Sequence, residues 1–347
     1  MICEAVTAYG QPLERLDVAT PTPKGKEVLL KVTRCGVCHS DVHLHEGFFD
    51  MGGGMKLPFG QKPPLVLGHE IEGTVARCGP DAKGVKEGDR VVAYPWIGCG
   101  ECPACTRGEE NHCPRPQNLG IQRFGGYADH CLVPDAKYLI ASGNVPQGLA
   151  AAYMCSGLTA FGALKKVARA GAQDPIAIVG YGGLGMMAHA FARHLYPEAP
   201  ILVADVSPAK REAAKKANAR VYDPADGGAA SQLMTDTGDG AAAALDFVGS
   251  ENSLRFATTA IRRGGRVVIC GLFGGAWSTP IPMFPFRAMA IMGSYVGTLD
   301  DAKEIMALAR AGKIAPIPIE ERPLAAANKA LEDLREGKIV GRVVLTP

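Results

Sequence analysis

The sequence predicts an α/β protein of two domains, in which a parallel sheet covered by helices is inserted into a β-rich domain built from both chain ends. Three observations carry this. The chain has 347 residues, more than one core usually holds, since chains split into domains beyond about 250–300 residues. Its first third holds short apolar runs bounded by Gly, Pro or Asp, the punctuation of strands. From about residue 150 strands alternate with helices at the spacing of a parallel sheet.

The β-rich start contains Val28–Thr33 (VLLKVT), Gly73–Arg77 (GTVAR) and Arg90–Ala93 (RVVA). A Gly/Pro-rich loop, roughly 47–64, separates a first cysteine–histidine cluster from Leu67–Glu70; it is either a pocket rim or a mobile surface loop. Leu149 to Arg169 is Ala/Leu-rich with helical spacing. The alternation then runs through strand Ile176–Val179, helix Met186–Leu195, strand Ile201–Ala204, helix Pro208–Ala217, strand Ala242–Phe247, helix Ser253–Ile261 and strand Arg266–Cys270. Near residue 297 it ends, and the tail returns to mixed helix and strand.

Composition narrows the class. Hydrophobic residues at 47% and charged residues at 21% are ordinary for a soluble globular protein. A net charge of +2 gives no reason to expect nucleic acid or an anionic membrane as partner. No apolar run approaches the roughly 20 residues that span a bilayer. The start MICEAVTAYG has neither a basic n-region nor an apolar h-region, and 11 is an odd number of cysteines. Both facts favour a reducing cytoplasm over a disulfide scaffold.

Four of those cysteines, Cys99, Cys102, Cys105 and Cys113, lie in the polar loop GCGECPACTRGEENHCP. This C-x2-C-x2-C-x7-C spacing suits a tetrahedral cation held by thiolates, and zinc prefers such a set. An iron–sulfur run would place its last cysteine about three residues on rather than seven. Four protein ligands leave no open position, so this site braces a loop and does no chemistry.

Gly180, Gly182, Gly183 and Gly185, with Tyr181 and Leu184 between them, follow a strand and open a helix. Such glycines let the backbone approach a pyrophosphate, and the helix N-terminus supplies unpaired N–H groups. Asp205 ends the next strand, where a carboxylate accepts hydrogen bonds from an adenosine ribose and repels a 2′-phosphate. NAD is favoured over NADP, although Lys210 and Arg211 leave some dual use open. As a bland alternative, Asp205 caps the following helix.

Cys38, His69 and Cys155 stand in CGVCHSD, LGHE and CSGLT. Two thiolates and an imidazole would leave a fourth zinc position open, but spacing does not single these three out. In order along the chain come CGVCHSD, GHE, the four-cysteine loop, the glycine fingerprint, GSYVGT and IVGRVVL. With them the chain resembles the zinc-dependent medium-chain alcohol dehydrogenases of bacterial, archaeal and yeast type over essentially its whole length.

The resemblance implies a GroES-like catalytic domain (1–152 and 297–347, with a structural-zinc lobe at about 95–116) around a Rossmann-type NAD domain (153–296). It implies one catalytic zinc on Cys38, His69 and Cys155, and one structural zinc on the four-cysteine loop. Asp41 matches the carboxylate that orients the histidine ligand, and Glu70 an acidic neighbour of the metal. Ser40 and His43 match a proton relay. His39 and Arg342 match basic positions at the cofactor, and Thr159 and Val296 residues packing on the nicotinamide. Trp96 and Leu119 fall where relatives line the substrate pocket. The partner is then a small alcohol or carbonyl compound, and the assembly a homotetramer or, alternatively, a homodimer. A polyol dehydrogenase is the nearest competing enzyme, and a non-catalytic NAD- and zinc-binding protein the competitor from another class. His45, His112, His130, His189 and His194 match no role and are expected to be surface or packing residues. Cys3, Cys35, Cys78, Cys131 and Cys270 are expected to be free thiols.

Overall fold

A computed structural model describes residues 1–167 and 171–347, which divide into two compact units. Met1–Phe48, Pro58–Leu158 and Gly297–Pro347 form the first, and Phe49–Leu57 with Thr159–Val296 the second.

In the first unit the main sheet runs in the order Leu139–Ala141, Arg90–Ala93, Glu70–Cys78, Val28–Gly36, Arg342–Thr346, Ile319–Pro323, and His130–Val133 also pairs with Val28–Gly36. A smaller sheet joins Glu14–Asp17, Ile2–Val6 and Leu65–Val66. Register matters more here than strand count. Gly36 pairs with Glu70 on one side and with Val344 on the other. The chain segments holding Cys38, His69 and Arg342 are therefore delivered to one end of the sheet.

Helix His39–Glu46 leaves that sheet directly. Cys38 is its N-cap, and Asp41 at the third helical position accepts a hydrogen bond from the Cys38 N–H, a capping box in which a thiol replaces the usual hydroxyl. The helix stops at Gly47, which sits at φ 86° with its N–H on the His43 carbonyl. A Cβ there would lie 2.7 Å from the Tyr9 ring, so both conformation and space call for glycine.

The stretch expected as one helix from Leu149 to Arg169 is broken. It forms helix Leu149–Ala152, a π-helical turn Tyr153–Gly157 and helix Leu158–Lys165, while residues 168 and 169 lie outside the described residues. Apolar spacing alone does not distinguish a π turn from an α turn, so the break left no trace in the pattern.

The second unit carries a six-stranded sheet in the order Arg220–Tyr222, Ile201–Ala204, Ile176–Val179, Ala241–Asp246, Ile261–Ile269, Ala290–Gly293, every neighbouring pair parallel. Its central strands are buried along their whole length, as expected of a sheet covered on both faces. Leu202, Leu233, Phe256, Ile261 and Val267 are part of the core. The two edge strands were not expected from the sequence. Both are short, and neither is a fully buried apolar run. Gly52, from the 47–64 loop, abuts Ala276, whose backbone N would lie 2.7 Å from an added Cβ.

Candidate metal and dinucleotide sites

Cys38, His69 and Cys155 converge in the first unit. One ligand atom of each lies within 4.8 Å of the others, all three residues are buried, and the two sulfurs are 3.8 Å apart. None of the eleven cysteines is in a disulfide.

Asp41 organises the set. One carboxylate oxygen accepts from the Cys38 N–H at 2.9 Å and from the Tyr127 hydroxyl at 3.2 Å. The other accepts from the Gly68 N–H at 3.3 Å and stands 3.3 Å from His69 Nδ1. Burial alone would lower the His69 pKa, but Asp41 and the Cys38 sulfur outweigh it and push it well up. With Nδ1 turned to a carboxylate, His69 Nε2 is left buried without a hydrogen-bond partner. An orphaned imidazole nitrogen beside two thiols is the donor set of a zinc site with one position open, so the residues fit the metal.

The π-helical turn gives Cys155 its place, and its neighbours take up the displaced backbone groups. The Ser156 N–H donates to Glu70 Oε1 at 3.2 Å, and the Trp96 indole donates to the Met154 carbonyl at 3.0 Å. Trp96 is buried with its ring 5.4 Å from that of His69, and Leu119 is fully enclosed. Glu70 pairs with Arg342 at 2.5 Å, and both are buried. Burial raises the Glu70 carboxyl, and Arg342 works against that rise. Ser40 and His43 are half-buried, three residues apart on the helix and so on one face of it. His39 is exposed, its ring 6.2 Å from that of His43. Burial lowers the His43 pKa.

The four-cysteine loop closes on itself in the same way. Its sulfurs lie within 4.8 Å of one another, with Cys102 at 3.4 Å from Cys105 and 3.8 Å from Cys113. Backbone N–H groups of Cys99 and Arg115 donate to the Cys113 sulfur at 3.2 and 3.3 Å, and four converging sulfurs are a donor set that fits a structural zinc. Glu110 anchors this lobe. It accepts from the Gly98 N–H at 3.1 Å, the Lys137 ammonium at 2.7 Å and the Tyr138 hydroxyl at 2.5 Å. Burial would raise its carboxyl, but these bonds hold it below the usual range. Nothing in the sequence pointed to Glu110 or to Tyr127, because the partners of Glu110 lie 12 to 28 residues away and that of Tyr127 lies 86 away.

In the second unit Gly180 is at φ 89°, and a Cβ on Gly185 would collide with the Gly180 carbonyl. A Cβ on Gly182, the N-cap of helix Gly183–Leu195, would meet nothing within 4 Å. This is an open cradle at a helix N-terminus, and it fits a pyrophosphate. Asp205 accepts from the Tyr181 N–H at 2.7 Å and the Ser207 N–H at 2.8 Å. Ser207, not Asp205, is the N-cap of helix Pro208–Lys216, and Asp205 accepts from the N–H of that cap residue. Arg211 donates to the Asp205 carbonyl at 2.7 Å and pairs with Asp223 at 3.0 Å.

A cleft of about 190 Å³ opens at the C-terminal ends of strands Ala241–Asp246 and Ile261–Ile269, lined by Asp246, Gly249, Gly271 and Trp277 among others. Ligands bind parallel sheets at such ends. Thr159 and Val296 are buried, and Val296 holds φ 42°, a strained conformation for a β-branched residue. Among the described residues no helix is long and apolar enough to cross a membrane.

Residues 24–144 match the alcohol dehydrogenase GroES-like domain, and residues 183–311 match the zinc-binding dehydrogenase domain. The chain is 38% identical to an NAD-dependent alcohol dehydrogenase of Sulfurisphaera tokodaii, with 97% of each chain covered. It is 30% identical to a D-arabinose 1-dehydrogenase (NADP(+)) of Saccharolobus solfataricus, over 98% of this chain and 95% of the other. It also superposes on the crystal structure of the alcohol dehydrogenase from the archaeon Aeropyrum pernix with a TM-score of 0.88, at 30% identity and with both chains fully covered. The sequence, the thiol–imidazole cluster and these matches agree: the chain belongs to the zinc-dependent medium-chain alcohol dehydrogenase family.

Proposed function

We propose that the protein oxidises primary or secondary alcohols reversibly to aldehydes or ketones, with NAD as hydride acceptor. The observation that carries the reading is the buried Cys38–His69–Cys155 cluster, with His69 backed by Asp41 and its second nitrogen unsatisfied. When bound, zinc supplies a Lewis acid toward the substrate oxygen, and NAD the acceptor for the hydride.

The chain's own residues hold and orient these groups. Cys38, His69 and Cys155 present the ligand atoms, and Asp41 fixes both the His69 ring and the Cys38 backbone. Cys99, Cys102, Cys105 and Cys113 brace the lobe around a second zinc. Ser40 takes up the proton of the substrate hydroxyl while giving up its own toward His43, which releases a proton to water. Gly180, Gly182, Gly183 and Gly185 make room for the pyrophosphate, Asp205 accepts from the ribose, and His39 and Arg342 complete the cofactor's polar contacts. Thr159 and Val296 pack on the nicotinamide, and Trp96 and Leu119 shape the pocket. In this reading the unit that holds Cys38, His69 and Cys155, which includes residues 153–158, serves the substrate and the other unit the coenzyme, in a cytoplasmic homotetramer. Exposed Ile281 (81%) and Phe286 (68%) support self-association.

The D-arabinose relative motivates a second reading, an aldose or polyol as substrate. Two features weigh against it. A carboxylate at Asp205 repels the 2′-phosphate of NADP, and the third ligand is Cys155, whereas polyol-type relatives often carry glutamate. The test is NADH formation across paired primary and secondary alcohols, aliphatic and aromatic, with aldoses and polyols alongside. Turnover confined to sugars would overturn the first reading in favour of the second. Tight NAD binding without turnover on any of them would favour a non-catalytic protein.

A further inference from the structure

The sequence leaves His189 as a surface or packing residue without a role. It is 3% exposed and sits at the centre of a hydrogen-bonded chain. Arg193, one turn further along the same helix, donates from Nε to His189 Nε2 at 3.3 Å. A nitrogen that accepts carries no proton in a neutral imidazole, so the proton is on Nδ1. Nδ1 lies 2.8 Å from the Tyr181 hydroxyl, to which it therefore donates. The remaining guanidinium nitrogens of Arg193 are fixed on the carbonyls of Ala199 at 3.3 Å and Asn218 at 2.8 Å.

Tyr181 is the second residue of the glycine loop and is itself 3% exposed. Its backbone N–H donates to Asp205 at 2.7 Å, so this one residue is held at both ends: main chain to the ribose carboxylate, side chain to the helix. The glycines around it have the widest conformational freedom of any residue and cannot fix the loop themselves. A loop that must order on binding loses affinity in proportion to the freedom it gives up. Burial holds His189 neutral, its pKa down to about 4, and raises Tyr181 to about 12, so the tyrosine–histidine link stays uncharged at ordinary pH.

We propose that the Tyr181–His189–Arg193 chain positions the dinucleotide site, holding the glycine loop and the Asp205 carboxylate in their binding arrangement before the cofactor arrives. The inference rests on the proposed reading of that loop as the NAD site.

The test is the dissociation constant of NADH, measured by fluorescence titration, together with kcat and the KM values for NAD and alcohol. The variants are Tyr181→Phe, His189→Leu and His189→Asn. Loss of one buried hydrogen bond predicts about a 3- to 10-fold weaker NADH complex for Tyr181→Phe, and loss of two, with Tyr181 and with Arg193, at least that much for His189→Leu. The KM for NAD rises in parallel, while kcat and the KM for alcohol move by less than about twofold. His189→Asn keeps an N–H near the Nδ1 position and recovers most of the loss. If His189→Leu does not fold, Tyr181→Phe, which removes a single oxygen, carries the test. Variants that lower the melting temperature yet bind NADH as the wild type does would overturn the inference alone. A wild type that fails to bind NADH would overturn the dinucleotide reading and this inference with it.

Discussion

Asp41→Asn separates the two metal sites. Asp41 is fully buried and faces four donors, two on each oxygen: Cys38 N–H and Tyr127 O–H on one, Gly68 N–H and His69 Nδ1 on the other. An asparagine replaces one oxygen with an NH2 group that can accept nothing. Whichever way the amide turns, two donors lose their acceptor, and one of each pair belongs to a ligand residue. If the NH2 faces His69, the imidazole loses its orienting partner; if it faces Cys38, the capping box opens. Partners behind a metal ligand contribute about 10–100-fold in metal affinity, or roughly 1.4–2.7 kcal/mol. The four-cysteine site shares none of these contacts. We therefore expect zinc at the Cys38–His69–Cys155 site to bind 10–100-fold more weakly, with the lobe site unchanged. Competition with a chromogenic chelator, followed by zinc content, reads both sites at once. Retention of both zincs at wild-type affinity would refute the reasoning, as would equal loss from both.

Three further expectations follow from the geometry. Asp205→Ser removes a charged acceptor, so the KM for NAD should rise about tenfold or more while NADP use appears; unchanged cofactor preference in steady-state kinetics would contradict this. Glu110→Ala leaves Lys137, Tyr138 and the Gly98 N–H without their shared acceptor, at a cost of about 1–3 kcal/mol; the melting temperature should fall and the lobe zinc exchange faster. The third concerns acid. His189 titrates down at about 4 in the fold instead of 6.5, because burial penalises its charged form. The unfolded chain therefore binds this proton first, and its contribution to stability is complete above pH 6.5. As pH falls from 6.5 toward 4, up to about 3 kcal/mol is lost. Melting curves across that range should show a steeper acid loss for the wild type than for His189→Asn, and parallel curves would count against the assignment.

Most of the second unit was legible because its strands are continuous apolar runs and its helices have caps and period. Ile176–Val179 and Ile201–Ala204 fall where the sequence placed them, and Ala241–Asp246 differs by a residue at each end. The edge strands Arg220–Tyr222 and Ala290–Gly293 escaped because each lies against one neighbour and so is not a continuous buried apolar run. The four-cysteine cluster was readable from spacing, since its ligands lie within one loop. Cys38, His69 and Cys155 were not, because only the Gly36–Glu70 register and a π-helical turn bring them together; a resemblance supplied them. The supports remained invisible. Asp41's hold on Tyr127, Glu110's on Tyr138 and Tyr181's on His189 are tertiary contacts between residues with no local signature. Among these, only Asp41 was anticipated, as a positional match to a family motif.

Alcohol oxidation, on the proposed reading, depends on metal at the Cys38–His69–Cys155 site. The most direct measurement compares NADH formation by the zinc-loaded wild type, by chelator-treated protein before and after zinc is restored, and by Cys38→Ser, with zinc content and circular dichroism recorded for each. Two zincs per chain are expected in the wild type, one in Cys38→Ser with the fold intact, and activity that disappears and returns with the metal. Full turnover by zinc-free protein, or by Cys38→Ser lacking that zinc, would contradict it.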